Sequence, residues 1–224
     1  MNVQLVSKTV GVGKYCDLNT EEIISAIARH GVIKEDNGKL VKYLMDNAHW
    51  SPLDMVNFTF EIQTSRAVGR QILRHASIKF QEHSQRYSDK VVFEPIELRK
   101  EDKVNRQSST EVFDPYMTLH YEESSDSPAS FYIKECLENI QLLYKKLLEV
   151  GIAKECARNI LPECTQSTLS ANGTLRSWLS FLNVRMDHHA QKECQQIAEL
   201  IGLELEKEMP NIFERIDWKN GMFM

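Results

Sequence analysis

The stretch from Arg66 to Ser88, RAVGRQILRHASIKFQEHSQRYS, concentrates the residue types that do chemistry. Arg66, Arg70 and Arg74 recur at every fourth position, which on a helix sets three guanidinium groups along one stripe. Like charges on one stripe repel, so the arrangement calls for an anion, carboxylates or water to offset it. Val68, Ile72 and Leu73 supply an apolar side to hold such a helix on a core. A polar run follows: Lys79, Gln81, Glu82, His83, Ser84, Gln85, Arg86 and Tyr87. It offers donors, acceptors, both charge signs and a titratable imidazole. The bland explanation is a solvated helix and a polar loop. A well-patterned strand before the stretch and an apolar segment after it argue against that.

Several chemistries are not supported. No G-x-S-x-G surrounds Ser84, and His83 beside it is adjacency rather than a nucleophile–base pair. His188, His189 and Glu193 are the zinc candidates, but H-E-x-x-H is absent and no metal site is expected. Cys16, Cys136, Cys156, Cys164 and Cys194 are odd in number and scattered, with no C-x-x-C pair. A disulfide framework and a catalytic thiolate are therefore not expected, and a reducing cytoplasm fits best. Neither a P-loop nor G-x-G-x-x-G occurs. What remains is a set of arginines far apart in the chain: Arg74, Arg86, Arg158, Arg176 and Arg185. Converging on one pocket, they would suit phosphate groups, which the guanidinium fork binds in bidentate fashion.

The elements that must position these residues are legible in outline. MNVQLVSKTV alternates as an opening strand, with Val3, Leu5 and Val10 as core candidates. Asn19 and Glu22 form a capping box for a helix through Ile23, Ile24 and Ile27 that stops at Gly31. A second short helix carries Leu40, Val41, Leu44 and Met45, and Pro52 in AHWSPLDM forbids its continuation. From Val56 to Gln63 apolar and polar residues alternate strictly, the clearest strand in the chain, and Thr64 or Ser65 can cap the arginine helix. KVVFEPIEL predicts a strand ending near Pro95, and residues 99–127 a long irregular lid, insertion or mobile loop. A helix starts at Ser127-Pro128 and runs to Gly151, and a shorter one, AKECARNIL, ends at Pro162. Thr165 to Ala171 is a polar strand turned at Asn172-Gly173. Two helices follow, Thr174–Met186 and Asp187–Met209, the second capped by Asp187, and NIFERIDW closes as a short helix. Strands flanking long helices without regular βαβ alternation predict an α+β fold with a mixed or antiparallel sheet.

At 224 residues the chain is expected to be one domain, 1–224, with 42% hydrophobic and 26% charged residues as in ordinary globular proteins. A net charge of −5 gives no general case for nucleic-acid binding, so a local basic cluster points to a small anionic ligand. No apolar run reaches the length of a membrane span, and the first residues lack a signal peptide's plan.

RHASIKFQEHSQRYS resembles the signature of the flavin-dependent thymidylate synthases, in which R-H-R is followed, after seven residues, by Ser. Here Arg74-His75-Ala76 precedes Ser84 at that spacing, with E-x-S-x-R-Y-S intact from Glu82 to Ser88. HWSP at His49–Pro52, the FTF strand at Phe58–Phe60, ARNILP at Ala157–Pro162 and LRSWLSFLNVRMDHHAQ at Leu175–Gln191 are similar too, in the same order. The resemblance implies an α+β fold and a homotetramer whose active sites are shared between subunits. It implies FAD, reduced by NADPH, in converting dUMP to dTMP with methylene-tetrahydrofolate as carbon donor, and no cysteine nucleophile. It places His49, Ser51, Arg74, His75, Ala76, Glu82, Thr174, Leu175, Arg176 and Ser180 at the flavin. Gln71, Arg74, Glu82, His83, Ser84, Gln85, Arg86, Arg158 and Arg185 are implied to hold the nucleotide, Arg185 at the uracil ring, with Arg185, Ser84 and Glu82 as the catalytic set.

Three departures fall on the flavin side. Ala76 stands for the second Arg of R-H-R, Met55 for a second His in H-x-x-P-x-x-H, and Ser180 where Asn or His commonly stands. They motivate two alternatives: a related enzyme that hydroxymethylates C5 of dUMP or dCMP, and a non-catalytic nucleotide-binding relative.

Overall fold

The computed structural model describes residues 1–35, 37–84, 86, 89–105, 108–119 and 126–221. The elements in chain order are β1 (Asn2–Lys8), α1 (Thr20–Ala28), α2 (Lys39–Asp46), β2 (Asn57–Ser65), α3 (Arg66–Ile72) and β3 (Lys79–Glu82). Then come β4 (Arg99–Glu101), β5 (Ser109–Val112), β6 (Tyr116–Met117), β7 (Ser127–Pro128), α4 (Ala129–Glu149) and α5 (Lys154–Ala157). The last are β8 (Gln166–Thr174), α6 (Leu175–Arg185), α7 (Lys192–Glu208) and α8 (Pro210–Phe213). Helices packed with an antiparallel sheet make the fold α+β. The chain forms two compact units, one of Met1–Thr64, Val68–Glu82 and Thr168–Met224, the other of Ser65–Ala67 and His83–Ser167.

The first unit is built on a four-stranded sheet in the order β1-β2-β8-β3, with β1 antiparallel to β2 and β3 antiparallel to β8. The strict alternation of β2 buries Phe58, Phe60 and Ile62 completely on one face. Helix α6 lies on that face, with Trp178 edge-on to Phe60 at 5.0 Å and its indole N–H bonded to the Phe58 carbonyl at 3.1 Å. Ile197, Ala198, Ile201 and Leu205, one stripe of α7, complete the core with Ile23 and Ile24 of α1. The predicted capping box is present at both of its bonds, Glu22 N to Asn19 and Asn19 N to Glu22.

The second unit centres on α4, where Tyr144 packs with Ala157 and Leu161 against Val91, Ile140, Leu147 and Leu148. Asp114 accepts from the backbone N–H of Ser130 at 2.9 Å and from its hydroxyl, which caps the start of α4 and holds the Asp114 carboxyl below its usual range.

The structure differs from the sequence reading at several points. Val10 lies past the end of β1 and is exposed rather than buried. Helix α3 ends at Ile72, so Arg74 falls in the following turn and leaves the stripe of Arg66 and Arg70, and Leu73 is 37% exposed. The first N–H groups of α3 are taken by the carbonyls of Thr165 and Glu163, and the Thr64 hydroxyl, buried without a partner among the described residues, does not cap it. Lys90–Leu98 forms no strand beyond a single bridge at Phe93, since its neighbour is already turning at Pro162–Thr165. Residues 99–127, read as irregular, hold two antiparallel ribbons among their described residues, β4–β5 and β6–β7. Asn172-Gly173 continues β8 instead of turning it. Asp187 does not cap α7, which starts at Lys192. Its carboxylate bonds His189 instead, and Gln195 holds the 187–191 turn through the carbonyls of Asp187 and Ala190.

Candidate functional site

The first unit brings Gln71, His75 and Arg185 together, from α3, the turn after it and the last residue of α6. Arg185 donates Nε to His75 Nε2 at 2.9 Å and a terminal Nη2 to the Gln71 carbonyl at 2.5 Å. His75 is half-buried, its ring 4.8 Å from that of Phe181, and burial with the adjacent Arg185 lowers its pKa from 6.5 to about 4. The Gln71 side chain is held in turn, donating to Gln191 at 2.5 Å and accepting from the Cys194 thiol at 3.5 Å, while Gln191 donates to Glu193 at 2.8 Å. Burial pushes the Cys194 pKa up to about 11, so this cysteine stays a thiol. Gln191 and Cys194 went unseen in the sequence because nothing local marks a partner more than a hundred residues away.

A second group in the same unit joins the 3-10 turn Ser51–Met55 to the start of α6. Asp54 accepts the Thr174 hydroxyl at 3.0 Å and an Arg176 terminal nitrogen at 3.1 Å. Thr174 caps α6 by accepting from Ser177 N at 3.2 Å. Asp54, which the sequence leaves free to bond backbone or ligand, thus links two predicted flavin segments through the side chains of Thr174 and Arg176. His49, Ser51, Arg74, Ala76, Arg176 and Ser180 are exposed, as is Met55. The Leu175 side chain is wholly in the core, its N–H is bonded to Val56, and its carbonyl belongs to the first turn of α6, so its contribution is to packing. Glu82 ends β3 and is exposed.

His83, Ser84, Arg86 and Arg158 belong to the second unit. The Ser84 hydroxyl accepts from Arg86 N at 3.3 Å, and Arg86 pairs with Glu155 at 3.2 Å, both side chains more than half exposed. Such a pair contributes little and yields easily to a phosphate. Arg74 and Arg158 pair with no carboxylate among the described residues. Gln85 lies outside the described residues, as do Tyr87 and Ser88 of the signature. Of the zinc candidates, His188 and His189 lie close together, but their third neighbour is Asp187 instead of Glu193, donor atoms being within 4.8 Å of one another. Both imidazoles are exposed.

Residues 10–211 match the family model described as thymidylate synthase complementing protein. The chain is 36% identical over 204 residues to the flavin-dependent thymidylate synthase of Synechocystis sp., covering 90% of this chain and 91% of that protein. It is 35% identical over 227 residues to the probable flavin-dependent thymidylate synthase of Paramecium bursaria Chlorella virus 1, covering 97% and 100%. Over 182 residues it is 35% identical to the flavin-dependent thymidylate synthase of Kosmotoga olearia, covering 80% and 76%.

Proposed function

This chain belongs to the flavin-dependent thymidylate synthase family, and we propose that it converts dUMP to dTMP with methylene-tetrahydrofolate as carbon donor and NADPH as reductant through FAD. The observation that carries the reading is the extent of the match, from residue 10 to residue 211 and over nearly the full length of two relatives. When bound, the flavin supplies the hydride that reduces the transferred carbon to a methyl group. An isoalloxazine ring and its phosphates present mostly acceptors. The exposed donors Ser51, Arg74, Arg176 and Ser180, with His49 and His75, are of the chemistry such a group requires. Glu82, Ala76, Thr174 and Leu175 complete the proposed flavin set.

Arg185 faces the uracil ring in this reading. Two of its donors are spent on His75 and Gln71, so the guanidinium is held in place before the nucleotide arrives. Its fixed positive charge favours an ionised N3 and so the electron-rich C5 that attacks carbon. Arg74, Arg86 and Arg158, with the Ser84 hydroxyl, bind the phosphate, and Gln71, Glu82, His83 and Gln85 complete the nucleotide contacts. What supports these assignments is that Arg74 and Arg158 have no ion-pair partner among the described residues and that Arg86 sits in an exposed, weak pair. We propose further that the protein acts in the cytoplasm as a homotetramer whose active sites are shared between subunits. No described helix is long and apolar enough to cross a membrane.

The test is a mass spectrum of the nucleotide after incubation with dUMP, methylene-tetrahydrofolate, NADPH and FAD. A product heavier by one methylene unit is expected. A hydroxymethylated nucleotide, or unchanged dUMP, overturns the reading. Light scattering at the column outlet reports the subunit number, and a monomer would end the shared-site proposal.

A further inference from the structure

We infer that Arg185 fixes His75 as a neutral imidazole with its proton on Nδ1, and that this Nδ1–H is the donor His75 offers to a carbonyl or ring-nitrogen acceptor of the bound flavin. The flavin half rests on the function proposed above; the proton's position does not. A guanidinium has N–H donors and no acceptor, so the 2.9 Å contact from Arg185 Nε requires a bare lone pair at His75 Nε2. A neutral imidazole bare at Nε2 carries its proton at Nδ1. Adding a second proton would break that bond and place a cation against a cation. The contact is not a swinging one, because the bond from Arg185 Nη2 to the Gln71 carbonyl holds the guanidinium plane from a second side. Phe181 packs 4.8 Å from the imidazole, ring centre to ring centre. The lowered pKa, about 4, agrees with the geometry. Nδ1 has no partner among the described residues, so its hydrogen is available to a ligand.

Two consequences distinguish this assignment from a general statement that His75 lies near a cofactor. The tripeptide Arg74-His75-Ala76 has lost one cation at Ala76, and His75 is not the replacement; Arg74 carries the charge alone. The same imidazole is bonded to the arginine expected at the pyrimidine. A nucleotide that draws on Arg185 therefore changes what Nδ1 offers on the other side of the ring, and the two ligands are linked through one hydrogen bond.

The test begins with 15N-edited NMR of the imidazole in the ligand-free protein at neutral pH. The expected pattern is a protonated Nδ1 and a bare Nε2; a proton on Nε2 overturns the inference. FAD is then titrated in. The Nδ1–H resonance is expected to shift at saturation, and an unmoved resonance in the FAD-loaded protein overturns the donor role. His75→Phe keeps an aromatic ring without the donor and is expected to weaken FAD binding about tenfold, the worth of one neutral hydrogen bond. His75→Gln, which restores a donor, is expected to recover part of that loss. If His75→Phe binds FAD as tightly as the unsubstituted protein, the donor role is wrong. If the unsubstituted protein binds no FAD, the flavin reading of the whole site falls, while the NMR pattern decides the proton's position by itself.

Discussion

Protonating His75 is harder in the folded chain than in the unfolded one, because burial and the Arg185 guanidinium hold its pKa at about 4 against an ordinary 6.5. The contribution to stability is complete above pH 6.5 and is drained as pH falls through that value toward 4, where the unfolded state takes up the proton first. Urea melts between pH 7 and 4 are expected to show a pH slope that His75→Gln reduces; an identical slope in both proteins would contradict it. Two buried hydroxyls bear on stability in the opposite sense. Thr64 Oγ1 and the Tyr144 hydroxyl are buried without a hydrogen-bond partner among the described residues, which costs desolvation with nothing in return. Thr64→Val and Tyr144→Phe are each expected to leave stability unchanged or raise it by about 1 kcal/mol. A marked loss in thermal melting would show that these groups do have partners. Residues of this kind are hard to read from sequence. Arg185 and His75 stand out by type, and the family resemblance names both, but their bond spans 110 positions and follows from where α6 ends.

At the scale of elements, the alternation of β2 and the capping box of α1 were legible because strand period and cap chemistry are local. The strand limits at Asn172-Gly173 and the false cap at Asp187 were misread for the complementary reason. A turn-forming dipeptide continues β8 because β3 pairs with it, Lys79 opposite Asn172. Asp187 has a nearer donor in His189. Packing between elements makes sharper demands. A Cβ on Gly202 of α7 would lie 2.1 Å from the Trp218 ring, so the helix must be bare there for the indole to seat. Gly202→Ala gains helix propensity yet is expected to cost about 1–3 kcal/mol by overpacking, read from the urea midpoint. An unshifted midpoint would mean that the indole relocates freely. Glu21, buried in α1, accepts from the Ile212 N–H at 2.9 Å and from Asn211 at 2.7 Å, and so closes the start of α8. Glu21→Ala strands both donors, with an expected loss of about 2–3 kcal/mol in the same assay. A change within 0.5 kcal/mol, the ordinary range for surface sites, would reject that role.

Across the whole molecule, sequence patterning gave the α+β class, and recognition of several spaced motifs gave the family. Neither divided the chain into its two compact units, because division depends on which segments pack and no composition shift marks the borders. The two units differ in how they are written along the chain. All but three residues of the second come from one uninterrupted run, His83–Ser167. The first draws its sheet from β1 and β2 near one end and from β8 near the other, and closes its core with α6 and α7. Contacts of such long sequence separation form slowly. In pulse-labelled hydrogen exchange during refolding, amides of α4 are expected to gain protection before those of α7, and simultaneous protection would argue for one cooperative unit.

The same layout has a meaning on the ribosome. β1, α1, α2 and β2 emerge early, with Phe58, Phe60 and Ile62 ready to be covered, yet α6, which packs on that face, is translated only after the entire second unit. At ordinary elongation rates of about 5–20 residues per second, that leaves an apolar strand pair waiting for several seconds. The nascent chain therefore has reason to recruit a holding chaperone at β2 and to release it once α6 has left the exit tunnel.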